Sequence, residues 1–313
     1  MTLTVLKPGL QTTLQGVPRL GYRHMGIPWS GPADSLSMAL ANRLVANPAG
    51  ATALEITYGG VSFRFDHPAH FALTGAANKI TLDSAPISPH QTQHASAGSI
   101  LDIAMPVTGL RTYLAIASGF VADTILGSPS TYLPAGLGGH HGRALQAGDR
   151  LNAKAETTDL PNLKTPLDLR PYIGDSFALR ACPSAEAAQL SPDSTRAFYS
   201  ETFQTGRQID RMGLTLETPK LAISSDGKMK SAAVFPGTVQ CPRNGQPIIL
   251  MADAQTTGGY PRIAHIARCD QHLLGQIRPG AHVRFIQRTL EQAIADYDEK
   301  SALFGEWLPN FRL

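Results

Sequence analysis

Apolar and polar residues in this chain alternate in short runs that glycine and proline interrupt, the period-two pattern of half-buried strands. Thr2–Leu6 reads as a strand stopped by Pro8-Gly9, and β character resumes at Thr12–Leu14. Ala53–Tyr58 and Val61–Phe65 flank Gly59-Gly60, which predicts a hairpin. Further strands are expected at His70–Thr74, Lys79–Leu82, Ser99–Met105, Thr112–Ser118 and Leu145–Leu151. Helical spacing appears once in this half: Leu36, Met38, Leu40, Leu44 and Val45 follow Pro32 and Asp34, and Asn47-Pro48 ends the run. In the second half Ile173–Ala181, Gln208–Thr218, Lys220–Ser224, Pro247–Ala252 and Val283–Gln287 read as strands. Ser191–Glu201 and Asp270–Gln276 read as short helices and Leu290–Leu303 as a terminal one, with the tail WLPNFRL packing its aromatics on the core.

The resulting organisation is mainly β with a few short helices. Residues 1–153 form a first region, proline-rich 154–171 a linker, 172–289 a second region, and 290–313 a C-terminal helix and tail. A faint echo between Pro8–Gln15 and Pro236–Gln240 suits two related halves, although its offsets are irregular. Composition agrees: 29 glycines and 23 prolines in 313 residues favour short strands and tight turns over long helices. The net charge of +3 is scattered, and no basic block is interleaved with aromatics, so nucleic acid is not indicated. Cys182, Cys241 and Cys269 share no metal or redox spacing, which favours reduced thiols. MTLTVLKPG lacks a signal pattern and no apolar run has membrane-spanning length, so a soluble cytoplasmic protein with no membrane partner is expected.

Several motifs fall away on inspection. No Walker loop occurs, and Gly136-Leu137-Gly138-Gly139-His140-His141-Gly142 places its third glycine one position late for a dinucleotide fingerprint. That run reads as a flexible loop or an anion nest. His90 and His94 have helical ligand spacing but lie in SPHQTQHASAG, which is not helical, so they read as exposed loop histidines. Cys241 reads as a small buried residue, and Lys230 lacks the apolar-Met-Lys-Met setting of a biotinylated lysine. The densest chemistry lies in Pro236–Ala264, where a short apolar run ends in Asp253, Gln255, Thr256, Thr257, Gly258-Gly259, Tyr260 and Arg262. With Arg19, Asp34, Glu55, Arg143, Asp210 and Arg211, these are groups that a phosphorylated or carboxylated small molecule needs. They are also what ordinary ion pairs and capped turns look like, and spacing does not choose between the two.

The segments PGLQTTLQ, GYRHMGIPWSGPAD, LANRLVAN, ALEITYGG, LTGA, DRMG, PGTVQ and NGQPIILMADAQTTGGYPRIA occur in order from Pro8 to Ala264. Together they resemble the biotin-dependent carboxyltransferase family, which includes the second subunit of allophanate hydrolase, the matching part of urea amidolyase, and the C subunit of the ATP-dependent 5-oxoprolinases. As a chain of this length it is most similar to the last group. The resemblance implies two tandem cyclophilin-like β-barrels. It implies cleavage of 5-oxo-L-proline to L-glutamate coupled to ATP hydrolysis, with Mg²⁺ a possible companion of the ATP, performed with 5-oxoprolinase subunits A and B and without biotin attached to this chain. On that basis Asp253, Arg262, Asp34 and Arg19 are candidate catalytic residues, and Gln240, Gln255, Thr256, Thr257, Tyr260, Arg143 and Arg211 candidate substrate or nucleotide ligands. The arginines are taken as phosphate or carboxylate clamps and the two aspartates as metal or water ligands. The resemblance also leaves room for carboxyl transfer from a biotinylated carrier and for a non-catalytic subunit that antagonises a kinase inhibitor. Gly16 and Pro18 depart from the family, which carries a carboxylate and a glycine there.

Overall fold

The computed structural model describes residues 2–153, 160–224 and 229–313. Positions 154–159 of the expected linker lie outside the described residues. The chain divides into two compact units: Met1–Leu20, Ser30–Ile173 and Phe304–Arg312 in one, and Gly21–Trp29, Gly174–Leu303 and Leu313 in the other.

The first unit is built from two sheets. Strands β1 (Thr2–Pro8), β4 (Val61–Phe65), β6 (Ile80–Leu82), β7 (Ala85–Ile87), β9 (Ile100–Ile103) and β11 (Arg150–Asn152) form one, in the order β11-β1-β4-β9-β6-β7. The other comprises β2 (Gln11–Gln15), β3 (Ala53–Thr57), β5 (Ala69–Gly75), β8 (Gln93–Ala95) and β10 (Arg111–Ile116), in the order β2-β3-β10-β5-β8. Leu3, Val5, Phe63, Phe65 and Leu101 of the first sheet share a core with Leu14, Leu54, Ile56, Phe71 and Leu114 of the second. The period of two does the rest. Ala53, Ala72, Tyr113 and Ala115 point to the opposite face of the five-stranded sheet, where Met38, Ala41 and Leu44 of helix α1 (Ser35–Leu44) cover them. Three of those four strand positions are alanine, which leaves room for a helix to lie close.

The expected hairpin at Gly59-Gly60 does not form. β3 pairs with β2 and β10, and β4 pairs with β1 and β9, so the two glycines carry the chain from one sheet to the other. The expected strand Leu145–Leu151 is only the short β11, because Gln146–Asp149 turns on its own hydrogen bonds. The tail behaves as expected: Trp307 packs against the helix-side core, and Arg43 lies 5.2 Å from its ring while donating to its carbonyl at 2.9 Å.

The second unit holds a closed barrel in the order β12-β19-β16-β17-β14-β13-β20. Its strands are β12 (Ser176–Pro183), β13 (Thr202–Ile209), β14 (Gly213–Thr218), β16 (Thr238–Gln240), β17 (Ile248–Leu250), β19 (Arg262–Ile266) and β20 (His282–Gln287), and β15 (Ala232–Ala233) pairs separately with β18 (Thr257–Gly258). Parallel pairing of β12 with β20 closes the ring and removes free edges. Gln208–Thr218 is not one strand but the end of β13, a turn and β14, because Asp210 Oδ1 accepts from the N–H groups of Met212 and Gly213. Lys220–Ser224 is not a strand either; Ile223 makes only an isolated bridge to Leu190. Helix α2 (Pro192–Ser200), capped by Ser191, seats Phe198 on Phe285 at 4.2 Å between ring centres and 16° between planes. Helix α3 (Leu290–Gly305) is fastened by charge: Arg180 bonds Asp270 at 2.6 and 2.8 Å and Asp296 at 3.0 Å, and Lys300 donates to the Cys269 carbonyl at 2.9 Å.

Candidate functional site

The stretch with the densest chemistry forms one side of the barrel and the loop above it. β17 is an apolar run with no room for charge, and Asp253 follows three residues after it ends. Its carboxylate does not face outward. It takes both Arg211 donors, Nε to Oδ2 at 2.7 Å and Nη2 to Oδ1 at 3.0 Å, while its N–H donates to the Arg211 carbonyl at 2.7 Å. The two side chains are 2% and 4% exposed, so this is a buried two-point pair that ties the β13–β14 turn to the loop after β17. Arg262 is engaged in the same manner by Glu186, at 2.7 and 2.6 Å, and its Nη1 donates to the Ala233 carbonyl at 3.0 Å. The Arg262 hydrogen bonds hold the Glu186 carboxyl below the usual range.

Gln240 and Gln255 hold the loop between these pairs. Gln240 Nε2 donates to the Tyr260 carbonyl at 3.2 Å, and its Oε1 accepts from Gln255 Nε2 at 3.4 Å. A Cβ on Gly258 would lie 2.5 Å from Gln240 Nε2, so a side chain there would push that amide out of its present place. Thr257 and Tyr260 face solvent. Arg23 joins the same group: its Nη2 donates to the Val234 carbonyl and, at 3.4 Å, to the Gln255 carbonyl. Its guanidinium carbon lies 5.1 Å from the Trp29 ring and 4.9 Å from the Phe235 ring, with those rings 5.8 Å apart. The three centres form a nearly equilateral triangle, so both rings wall the same side of the cation.

Of the first unit's candidates, Arg19 and Asp34 are enclosed. Arg19 is fully buried and donates to the carbonyls of Ile125 and Ser130, at 3.1 and 2.8 Å, and to Ser30 Oγ at 3.4 Å. Asp34 caps α1, accepting from Ser37 N–H at 2.9 Å and Ser37 Oγ at 2.6 Å. Beside it, Glu55 Oε2 accepts from Tyr113 Oη at 2.7 Å and Ala33 N–H at 2.8 Å, and Oε1 lies 3.4 Å from Arg111 Nε. Burial, with the Glu55 and Asp34 charges, raises the Tyr113 phenol well above its ordinary value. Arg143 forms a two-point pair with Asp149 at 2.7 and 2.8 Å and remains about a third exposed. Thus Arg19, Asp34 and Arg143 belong to the first unit, while Arg211, Gln240, Asp253, Gln255, Thr256, Thr257, Tyr260 and Arg262 belong to the second.

The glycine run after Tyr132 is not a loose loop. Bridges join Tyr132 to Leu137 and His140 to Arg143, and a Cβ on Gly138 would lie 2.5 Å from the Ser130 carbonyl oxygen. His90 is not exposed: burial, then Arg170, lowers its pKa to about 4, and its Nδ1 lies 3.4 Å from Thr165 Oγ1. Cys241 is buried as expected, which pushes its thiol up to about 12 and makes it a poor nucleophile. Gly16 sits under Pro129, 2.7 Å from a Cβ built there, so this chain has no space for a carboxylate at that position. Sequence reasoning missed Arg23 and Glu186. Arg23 had one available signal, the aromatic Trp29 six residues on in a turn-rich segment; Glu186 had none, since its partner lies 76 positions away.

Residues 25–287 match the family described as "Carboxyltransferase domain, subdomain A and B". The chain is 38% identical to the 5-oxoprolinase C subunit of Escherichia coli over 97% of both sequences. It is 35% identical to the 5-oxoprolinase C subunit of Haemophilus influenzae over 93% of both. Among solved structures it superimposes on K. lactis urea amidolyase with a TM-score of 0.90 at 25% identity, covering 98% of this chain and 20% of that one. The mainly β fold with short helices, two sheets in one unit and a closed seven-stranded barrel in the other, is shared with that structure. Fold, profile and full-length identity agree that the chain belongs to the carboxyltransferase family built from subdomains A and B.

Proposed function

We propose that this chain is the C subunit of an ATP-dependent 5-oxoprolinase and works with subunits A and B to open 5-oxo-L-proline to L-glutamate. The observation that carries the reading is the end-to-end identity of 38% to a protein of that name. A lactam resists water because amide resonance feeds its carbonyl; phosphorylating the carbonyl oxygen leaves a carbon that water attacks, and the ring opens to an acyl phosphate that hydrolyses. On this reading the groups that meet a ligand are Gln255, Thr256, Thr257 and Tyr260, on the accessible rim of the loop. Asp253, Arg211, Arg262 and Gln240 hold that rim in shape through the pairs described above.

The candidate carboxylates among the described residues are not arranged for a Mg²⁺–ATP site. Both Asp253 oxygens are taken by Arg211 and both Asp34 oxygens by Ser37, and among the described residues no three His, Cys, Asp or Glu side chains gather as metal ligands. No step of the chemistry is therefore assigned to nucleotide or metal on this chain; in the proposed complex the phosphorylation belongs to one of the two partners. A second reading, carboxyl transfer, draws support from 30% identity to the urea amidolyase of Saccharomyces cerevisiae, over 93% of this chain but 17% of that one.

The test is 5-oxoproline-dependent ADP release by subunits A and B with and without this chain. Release that requires this chain supports the reading. Equal release without it, or carboxyl exchange with biotin and no dependence on ATP, overturns it.

A further inference from the structure

The outer wall of the barrel carries a groove that the Gln255–Tyr260 loop does not use. Between the pairs Thr205–Leu216 and Ile209–Leu214, β13 has three residues where β14 has one. The surplus lifts Gly206, Arg207 and Gln208 out of the ladder, as a bulge does. Leu214, Leu216 and Ile249 are buried in the barrel, so by alternation Gly213, Thr215 and Ile248 face outward. A groove of about 460 Å³ lies here, lined by Arg207, Gln208, Ile209, Asp210, Thr215 and Ile248 around the gap that Gly213 leaves. All of these residues belong to the second unit.

The polar groups of the groove are not spent on the chain itself. Arg207 makes no hydrogen bond or ion pair among the described residues, nor do the side chains of Gln208 and Thr215. Asp210 uses one oxygen, Oδ1, to accept from the N–H groups of Met212 and Gly213, and Oδ2 has no partner among the described residues. Arg207 and Asp210 line the same groove and yet do not pair with each other. A simple anion drawn to Arg207 would meet the Asp210 carboxylate, and a simple cation drawn to Asp210 would meet the guanidinium. A molecule that carries both charges answers both groups. Ile209 and Ile248 add apolar surface to the same groove.

We propose that this groove binds a free α-amino acid with an aliphatic side chain. The α-carboxylate meets Arg207, the α-ammonium meets Asp210 Oδ2, and the side chain lies against Ile209 and Ile248. The proposal does not depend on the lactam reading, and 5-oxo-L-proline is not such a ligand, because its nitrogen is a neutral amide.

Titration calorimetry on the full chain tests this with L-leucine, with isocaproate, which lacks the ammonium, and with L-leucinamide, which lacks the carboxylate. Wild type is expected to bind L-leucine with a Kd below about 1 mM, and about tenfold or more tighter than either analogue. Arg207→Gln is expected to bind L-leucine no better than L-leucinamide. Asp210→Asn, which keeps an oxygen for the turn, is expected to bind it no better than isocaproate. Absence of L-leucine binding by wild type overturns the proposal and needs no variant to fold. Binding of isocaproate, L-leucinamide or 5-oxo-L-proline by wild type as tightly as L-leucine overturns it too. So does unchanged affinity for L-leucine in either variant once circular dichroism shows that variant folded.

Discussion

The buried seam of the first unit and the loop region of the second contain similar residues used in different ways. In the seam, Asp34, Glu55, Tyr113 and Arg111 are each 1% exposed or less, and every carboxylate oxygen among them has a partner. In the loop region two arginines are likewise answered by carboxylates, Arg23 is met by two carbonyls and by no carboxylate among the described residues, and Thr257 and Tyr260 stand at the surface. The lesson is that residue type does not separate a site from a brace. A charged group whose partners lie inside the chain positions backbone, whatever its residue type would suggest in a sequence.

The largest effects should come from cutting the answered pairs. Glu55→Ala in the first unit and Asp253→Ala in the second each leave a buried guanidinium without its counterion, and each is expected to cost about 3–5 kcal/mol of stability. Arg23→Gln, which removes an unanswered charge, is expected to cost less than about 1 kcal/mol by the same logic. Urea denaturation of the three variants checks this, and a loss of several kcal/mol in Arg23→Gln would make it one more brace.

Acid should strike both units, through different histidines. His90 in the first unit is lowered to about 4 and His272 in the second to about 3, chiefly by burial, and His272 further by Lys300, whose Nζ lies 3.4 Å from its Nε2. Below about pH 6.5 the unfolded chain takes up protons that these folded rings refuse. Stability is therefore fully present above that pH and falls as pH drops toward each folded value, by roughly 2 kcal/mol per histidine at pH 5. The chain has two tryptophans, Trp29 in the second unit and Trp307 in the first, so single-tryptophan variants report each unit. His272→Gln should flatten the acid response seen by Trp29, and His90→Gln that seen by Trp307. A Trp29 response unchanged in His272→Gln would show that another group carries the acid sensitivity.

Local pattern was enough for much of the fold. The alternation in Phe71–Leu73 and Tyr113–Ile116 sends successive residues to two cores, and Asp34 ahead of the Leu36–Leu44 stripe marks a capped helix start. What it could not give was pairing across distance. Gly59-Gly60 has the composition of a hairpin turn, yet β3 and β4 find their neighbours in different sheets, a matter of long-range hydrogen bonding. The same limit governs the candidate site. ADAQTTGGYP announces a dense polar loop, but whether Asp253 faces a ligand depends on Arg211, 42 positions earlier. His90 has polar neighbours in sequence, the pattern of an exposed loop, and it is buried because residues near Thr165 cover it.

The smallest expected effect discriminates most sharply between brace and ligand group. Arg143 is a candidate ligand by residue type, and its pair with Asp149 is of the two-point kind that also binds carboxylates. Yet Asp149 also accepts from Gln146 N–H at 2.7 Å, so the turn before β11 is largely self-sufficient. Arg143 is about a third exposed, where water screens the pair, and Arg143→Ala should cost below about 1 kcal/mol. If Arg143 only braces this turn, its alanine variant supports ADP release by the reconstituted complex at the wild-type rate, with an unchanged KM for 5-oxo-L-proline. A tenfold rise in KM at nearly unchanged stability would instead put Arg143 in contact with the substrate, and the first unit could no longer be read as bracing alone.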